Sequence, residues 1–141
     1  MTKYWVGVTS YDHVKISVEG GFCQLNHGKE THLKLMYQDD WIIYYSPTEL
    51  FRIKDNFKSF SAIGRIKDSN IYQVKMANGF APYRRDVVYI QKVLPLPITK
   101  VLLNLDFVDD PQKYGYKFRF GTFEITEHDF LLIKKAMTSV L

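Results

Sequence analysis

"FAPYRRDVVYI", Phe80 to Ile90, sets two arginines side by side in a run that otherwise reads as a buried strand. Strand alternation sends Arg84 and Arg85 to opposite faces, while Val87, Val88, Tyr89 and Ile90 supply the apolar body. One guanidinium reaches water. The other needs a partner, because burying it unpaired is costly, so it must meet either an acidic neighbour or a bound anion in a cleft. Both readings stay open at this level. Pro82 opens the strand, where a missing N–H is tolerated, and it holds Ala81 extended.

Working outward, "YWVGVT" (4–9) is β-branched and aromatic and predicts a first strand, followed by a short helix capped by Asp12 and ended by Gly20-Gly21. Residues 22–36 read as a loop leading into one helical turn after Thr31. After the polar Asp39-Asp40 turn, Trp41 to Tyr45 is a near-continuous apolar run that predicts a strand covered on both faces and stopped by Pro47. Two strands are expected at Ser59–Ile66 and Ile71–Met76, joined by a turn at Asp68-Ser69-Asn70, with Gly64 as a bulge. A short amphipathic helix should begin near Ile98. "YKFRFGTFEI" (116–125) alternates Tyr116, Phe118 and Phe120 with Lys117 and Arg119, predicting a strand with a basic outer face. Thr126 and Asp129 form a capping-box-like start for a last helix, with Phe130, Ile133, Met137 and Val140 along one stripe.

Strands this closely spaced leave no room for repeated βαβ crossovers. The expected class is therefore α+β: a mixed, mostly antiparallel barrel of about five or six strands with flanking helices, one domain over residues 1–141. A net charge of +4 and a pI near 9.1 permit a phosphate-bearing partner without demanding one. The lone Cys23 excludes an internal disulfide, residues 1–9 lack the pattern of a secretory signal, and no apolar run approaches the ~20 residues of a membrane span. A cytoplasmic protein is the expectation.

Catalytic signatures are missing. No nucleophile elbow or phosphate-cradling glycine motif occurs, and Asp39-Asp40 and Asp109-Asp110 read as turn residues. Cys23, His27 and His32 leave one alternative open, an enzyme or small-molecule-binding protein using those three, although their spacing matches no common metal pattern. The prevailing inventory is rings, amides, hydroxyls and arginines, with aromatics at 16%, about twice average usage. Those are the parts of a pocket in which a flat ring stacks on a nucleobase and polar edges read it, so binding without catalysis, metal or cofactor is expected.

Five segments together, "YWVGVTS", "GFCQLNHGK", "DDWIIYYSP", "APYRRDVVYI" and "FRFGTFEITEHDFLLIKKAM", resemble an EVE domain of the PUA-like superfamily, related to the YTH readers of methylated adenine and to ASCH domains. The resemblance covers nearly the whole chain. It implies a helix-wrapped β-barrel with a pocket for a modified nucleobase of DNA or RNA, any nuclease or other effector being supplied in trans. Carried onto this sequence, the base-binding residues would be Thr9, Ser10, Phe22, Gln24, Asn26, His27 and Lys29, a wall of Tyr44, Ser46 and Pro47, and Tyr83 with Arg84. Arg84 would be the inward guanidinium, and Arg85 would face solvent or an acid. Arg85, Lys117 and Arg119 would follow the nucleic-acid backbone.

Overall fold

The strand that carries the two arginines lies inside a seven-stranded sheet in the computed structural model, which describes residues 1–139. In chain order the elements are β1 (Tyr4–Val8), α1 (Tyr11–Gly20), β2 (Phe22–Cys23), β3 (Trp41–Ser46), β4 (Ser59–Gln73), β5 (Tyr83–Tyr89), β6 (Leu96–Pro97), β7 (Thr122–Ile125) and α2 (Glu127–Thr138). Strand order is β2-β5-β4-β3-β1-β7, with β6 paired to the start of β4. Among the described residues only β1 and β3 run parallel, and the connection between them is long enough to include α1, as a crossover requires. The expected α+β, mostly antiparallel, barrel-like class is what forms, opened out and with seven strands.

Alternation along the central strands divides the interior in two. Val6, Ile43 and Tyr45 face a core completed by Phe123, Ile125 and the Phe130, Ile133 and Met137 stripe of α2. Trp5, Ile42 and Tyr44 face the other side, against Val14 of α1, Cys23, Leu33, Met36, Val87 and Tyr89. Both faces of β3 are thus covered, as its unbroken apolar run predicts. Thr126 caps α2 by accepting from the Asp129 N–H at 3.2 Å, and Val140 lies outside the described residues.

Other expectations are corrected. Ser10, not Asp12, stands at the N-cap of α1, and the first helical N–H groups, those of Tyr11 and Asp12, donate to the Thr48 and Glu49 carbonyls at 2.9 Å each. Gly21 closes the helix with φ +73°. The 59–66 and 71–76 segments are not two strands: β4 runs unbroken, and residues 67–70 bulge out between Ile66, opposite Val87, and Ile71, opposite Arg85. Gly64 is a close-approach point instead of a bulge, since a Cβ there would sit 2.3 Å from Val87. The helix expected at Ile98 is two 3-10 turns, Ile98–Lys100 and Leu102–Asn104. Residues 111–120 form a 3-10 run, not a strand, because Tyr114 and Phe118, four apart, both turn onto the core. Phe118 stacks flat on Tyr45 with centroids 3.8 Å apart, and this leaves Tyr116 and Phe120 exposed.

Arg85 is the inward arginine, 2% exposed, on the same face as Val87 and Tyr89. Its partner is neither an acid nor an anion. Nη1 donates to the carbonyls of Leu33 (2.7 Å) and Met36 (2.6 Å), and Nε donates to Asp68 O (3.0 Å) in the bulge. Substituting Arg85→Met would leave three carbonyls without this donor, and a loss of about 3 kcal/mol in urea denaturation is expected. An unchanged midpoint would mean that water serves those carbonyls equally well.

A second clip joins α2 to the chain before it. Asp129, fully buried, accepts from the Asp106 and Phe107 N–H groups at 2.7 and 3.1 Å, while His128 Nδ1 lies 3.1 Å from both Asp106 and Asp129. The hydrogen bond to Asp129, followed by the charge of Asp106, raises the His128 pKa above its ordinary 6.5. A raised folded-state value contributes stability that is complete below 6.5 and fades as pH rises through that raised value. The melting temperature of His128→Gln should therefore fall further below wild type at about pH 5 than at about pH 9. A gap that is constant with pH would contradict this.

Candidate functional site

The loop after α1 and the arginine strand meet. β2 pairs with β5, placing Phe22 opposite Asp86 and Cys23 opposite Arg85, so the chain continues from Gln24 along the outer side of β5. Arg84, half-buried, lies over the Phe22 ring with its guanidinium carbon 4.0 Å from the centroid, and its Nε donates to Gln24 Oε1 at 3.0 Å. Gln24 is itself fixed from below, since Tyr44 Oη exchanges hydrogen bonds with its backbone N–H (3.2 Å) and C=O (3.3 Å). No carboxylate among the described residues reaches ion-pair distance of Arg84. The outer face of that guanidinium and its remaining N–H donors are what this end of the molecule offers a ligand.

Beyond Gln24 the backbone turns left-handed at three consecutive residues: Asn26 (φ +47°), His27 (φ +60°) and Gly28 (φ +82°). Such a run is sterically costly for L-residues and persists only where its surroundings hold it. Here both ends are held. Asn26 Nδ2 donates to Phe120 O at 3.0 Å and its Oδ1 accepts from Thr122 Oγ1, while Gly28 is pressed so closely by Pro82 and Phe80 that a Cβ would come within 2.6 Å of the proline ring. His27, between them, projects into solvent with Lys29 beside it. The end of β1 joins this group through Gly121, whose carbonyl accepts from the Val8 N–H at 2.8 Å.

Of the residues expected at the site, Phe22, Gln24, Asn26, His27, Lys29 and Arg84 share this surface, with Tyr83 half-buried on the opposite face of β5. Others do not line it. Tyr44 and Ser46 are fully buried, because β3 is covered on both sides, and Ser46 hydroxyl meets Ser61 Oγ at 2.8 Å. Ser10 is buried with its hydroxyl on Asp12, Thr9 donates its N–H to Tyr45 O and faces His13, and Pro47 begins the loop that packs on α1. Phe22 is 7% exposed, and Arg84 occupies the ring face on which a base would otherwise stack. The roles foreseen for the two arginines are exchanged, so Arg85 reaches no nucleic acid. Lys117 and Arg119 sit on the 3-10 run and not on a strand face.

The part that Phe80, Pro82, Phe120 and Thr122 play in holding the turn was not foreseen from the sequence. The signal for the turn they hold is Asn26-His27-Gly28 itself, residue types that tolerate positive φ. The Cys23, His27 and His32 alternative loses its nucleophile, since Cys23 is wholly buried and burial pushes its thiol up to about 12. Among the described residues these three form no metal-binding group; the one cluster of that kind is Asp106, His128 and Asp129, already engaged as the α2 clip. No helix among the described residues is long and apolar enough to cross a membrane. Native protein should leave Cys23 unmodified by a thiol reagent at neutral pH until denaturant is added. Prompt stoichiometric labelling of folded protein would restore Cys23 as a candidate nucleophile.

Comparison with known proteins places this geometry among relatives. A family model described as the EVE domain matches residues 3–136. The chain is 46% identical over 132 residues to a protein described as "UPF0310 protein in gntR 5'region" of Bacillus licheniformis, covering 94% of this chain and 89% of that one. It is 40% identical to a UPF0310 protein of Mycobacterium avium, covering 95% and 96%. Two solved structures are similar in fold: a hypothetical protein from Leishmania major (TM-score 0.64, 9% identity, 96% of this chain and 94% of that one) and Rpa0253 from Rhodopseudomonas palustris (TM-score 0.61, 20% identity, 99% and 95%).

Proposed function

From the premise that this chain belongs to the EVE domain family, we propose that it is a nucleic-acid-binding module, acting in the cytoplasm by recognition and not by turnover. One nucleobase, carrying a modification, lies against the outer face of Arg84, and the Gln24 amide and the free Arg84 N–H groups meet its polar edge. The observation that carries this reading is the position of Arg84 itself, spread flat on an aromatic ring, oriented by an amide and facing outward without a carboxylate. A planar cation in that pose suits a stacked base and a phosphate equally well. His27 and Lys29 extend the same surface, and Lys117 and Arg119 neutralise backbone phosphates nearby. An effector that acts on the bound strand, such as a nuclease, is supplied by another chain.

The test is titration of the protein with modified and unmodified ribo- and deoxyribonucleosides, observed by NMR at the Arg84 Nε–H and Gln24 side-chain amide. Saturable shifts with at least one modified nucleoside are expected, weakened roughly ten- to hundred-fold by Arg84→Ala, with little change in melting temperature. If no nucleoside perturbs those signals, the base-binding reading is wrong.

A further inference from the structure

The surface beside the strained turn carries rings that no part of the chain covers. Tyr116 and Phe120 are 62% and 53% exposed and meet edge-to-face, with centroids 5.7 Å apart and planes at 86°. They stand on a segment, residues 111–120, that bears Lys113, Lys117 and Arg119 and no carboxylate. None of these three cations forms an ion pair among the described residues. The preceding Asp110 is engaged as the cap of the segment, accepting from the Gln112 N–H at 2.9 Å. In the adjacent loop Glu30 pairs with Lys34 at 3.1 Å, so Lys29 is left to solvent.

Position ties this patch to the base site. The backbone carbonyl of Phe120 is the acceptor for Asn26, so the main chain of Phe120 lies beside the start of the left-handed turn. On the other side of the same turn Phe80, 41% exposed, lies against Gly28. Exposed rings therefore flank a three-residue turn on both sides, and the segment that bears Tyr116 and Phe120 also carries exposed Lys113 and Arg119 and half-buried Lys117, whose ammonium lies over the Phe123 ring. Rings and cations gathered on one short segment suit the bases and phosphates of an unpaired strand. A duplex, whose ring faces are stacked inside, offers them nothing to stack on.

We propose that Tyr116 and Phe120 on one side of the 26–28 turn, and Phe80 on the other, form a stacking platform for single-stranded nucleic acid. The nucleotides flanking the recognised base lie on these rings, and Lys117 and Arg119 take the intervening phosphates. This rests on the reading of the Arg84 site and adds that the strand must be unpaired.

The experiment is fluorescence anisotropy with labelled short oligothymidylate, oligouridylate and a duplex of matched length, on wild type and on Tyr116→Leu, Phe120→Leu and Phe80→Leu. Each substitution keeps apolar bulk and removes the ring. Single strands should bind in preference to the duplex, and the two single-stranded probes decide between DNA and RNA. The Tyr116 and Phe120 variants should each weaken single-strand binding about five- to a hundred-fold with an unaltered salt slope, while Lys117→Ala and Arg119→Ala should each lower that slope by about one. Nucleoside binding at Arg84 should not change in Tyr116→Leu, and the circular dichroism of every variant should match wild type. Ring variants that bind like wild type, or a duplex bound as tightly as a single strand, would overturn the platform and leave the nucleoside site standing. Loss of a dimer on replacing the rings, measured by sedimentation, would reassign them to a second copy of the chain. Absence of both nucleoside and oligonucleotide binding would remove both proposals.

Discussion

The guanidinium of Arg85 is the joint on which the end of the molecule that carries Arg84 depends. It reaches the backbone of the loop at Leu33 and Met36 and the bulge of β4 at Asp68, two stretches that lie far apart in sequence and have little regular pairing of their own. The buried carbonyls of Leu33 and Met36 would otherwise lack a donor, and that of Asp68 is only part-buried. A cation serves them better than a neutral donor because charge-assisted bonds are stronger, and the fixed fork of arginine spans carbonyls that an ammonium could not reach together. Earlier in the same loop, Gln24 meets Arg84 of β5 and Gly28 packs on Pro82.

Much of this was legible from local pattern. β1, the doubly covered β3 and the capped α2 form where their own residues place them, because each is specified by neighbours in sequence. The choice between Arg84 and Arg85 was also encoded: Arg85, Val87 and Tyr89 share one face, and Arg84, Asp86 and Val88 the other. The alternation pointed inward at Arg85, whereas the family-like Pro-aromatic-Arg pattern drew the inward role to Arg84. Non-local contacts decided the rest. Asp68-Ser69-Asn70 has the composition of a turn, yet it bulges because its carbonyl is wanted by Arg85. Residues 116–120 have the period of a strand, yet Phe118 is claimed by Tyr45 and Tyr114 follows it inward. At the site, Phe22, Gln24 and Arg84 were named together and do meet, while Tyr44 and Ser46 were misplaced because a strand covered on both faces has no residue to spare for a pocket wall.

The left-handed turn at 26–28 shows how the scaffold meets a local cost. Neither the Asn26 bonds nor the Pro82 contact would hold three such residues alone; together they clamp the turn from the β7 side and the β5 side. His27, between the two clamped residues, is the exposed one of the three.

The loop after β3 has one more effect, through the carbonyls of Thr48 and Glu49 that receive the opening amides of α1. Helix origins are among the commonest places for a protein to lodge an anion, using nothing but main-chain dipole. This one is already stoppered from within. Main-chain dipole at this end is thereby spent inside the fold, and the cationic character of the neighbouring surface comes from side chains such as Lys29 and leaves the helical frame uninvolved.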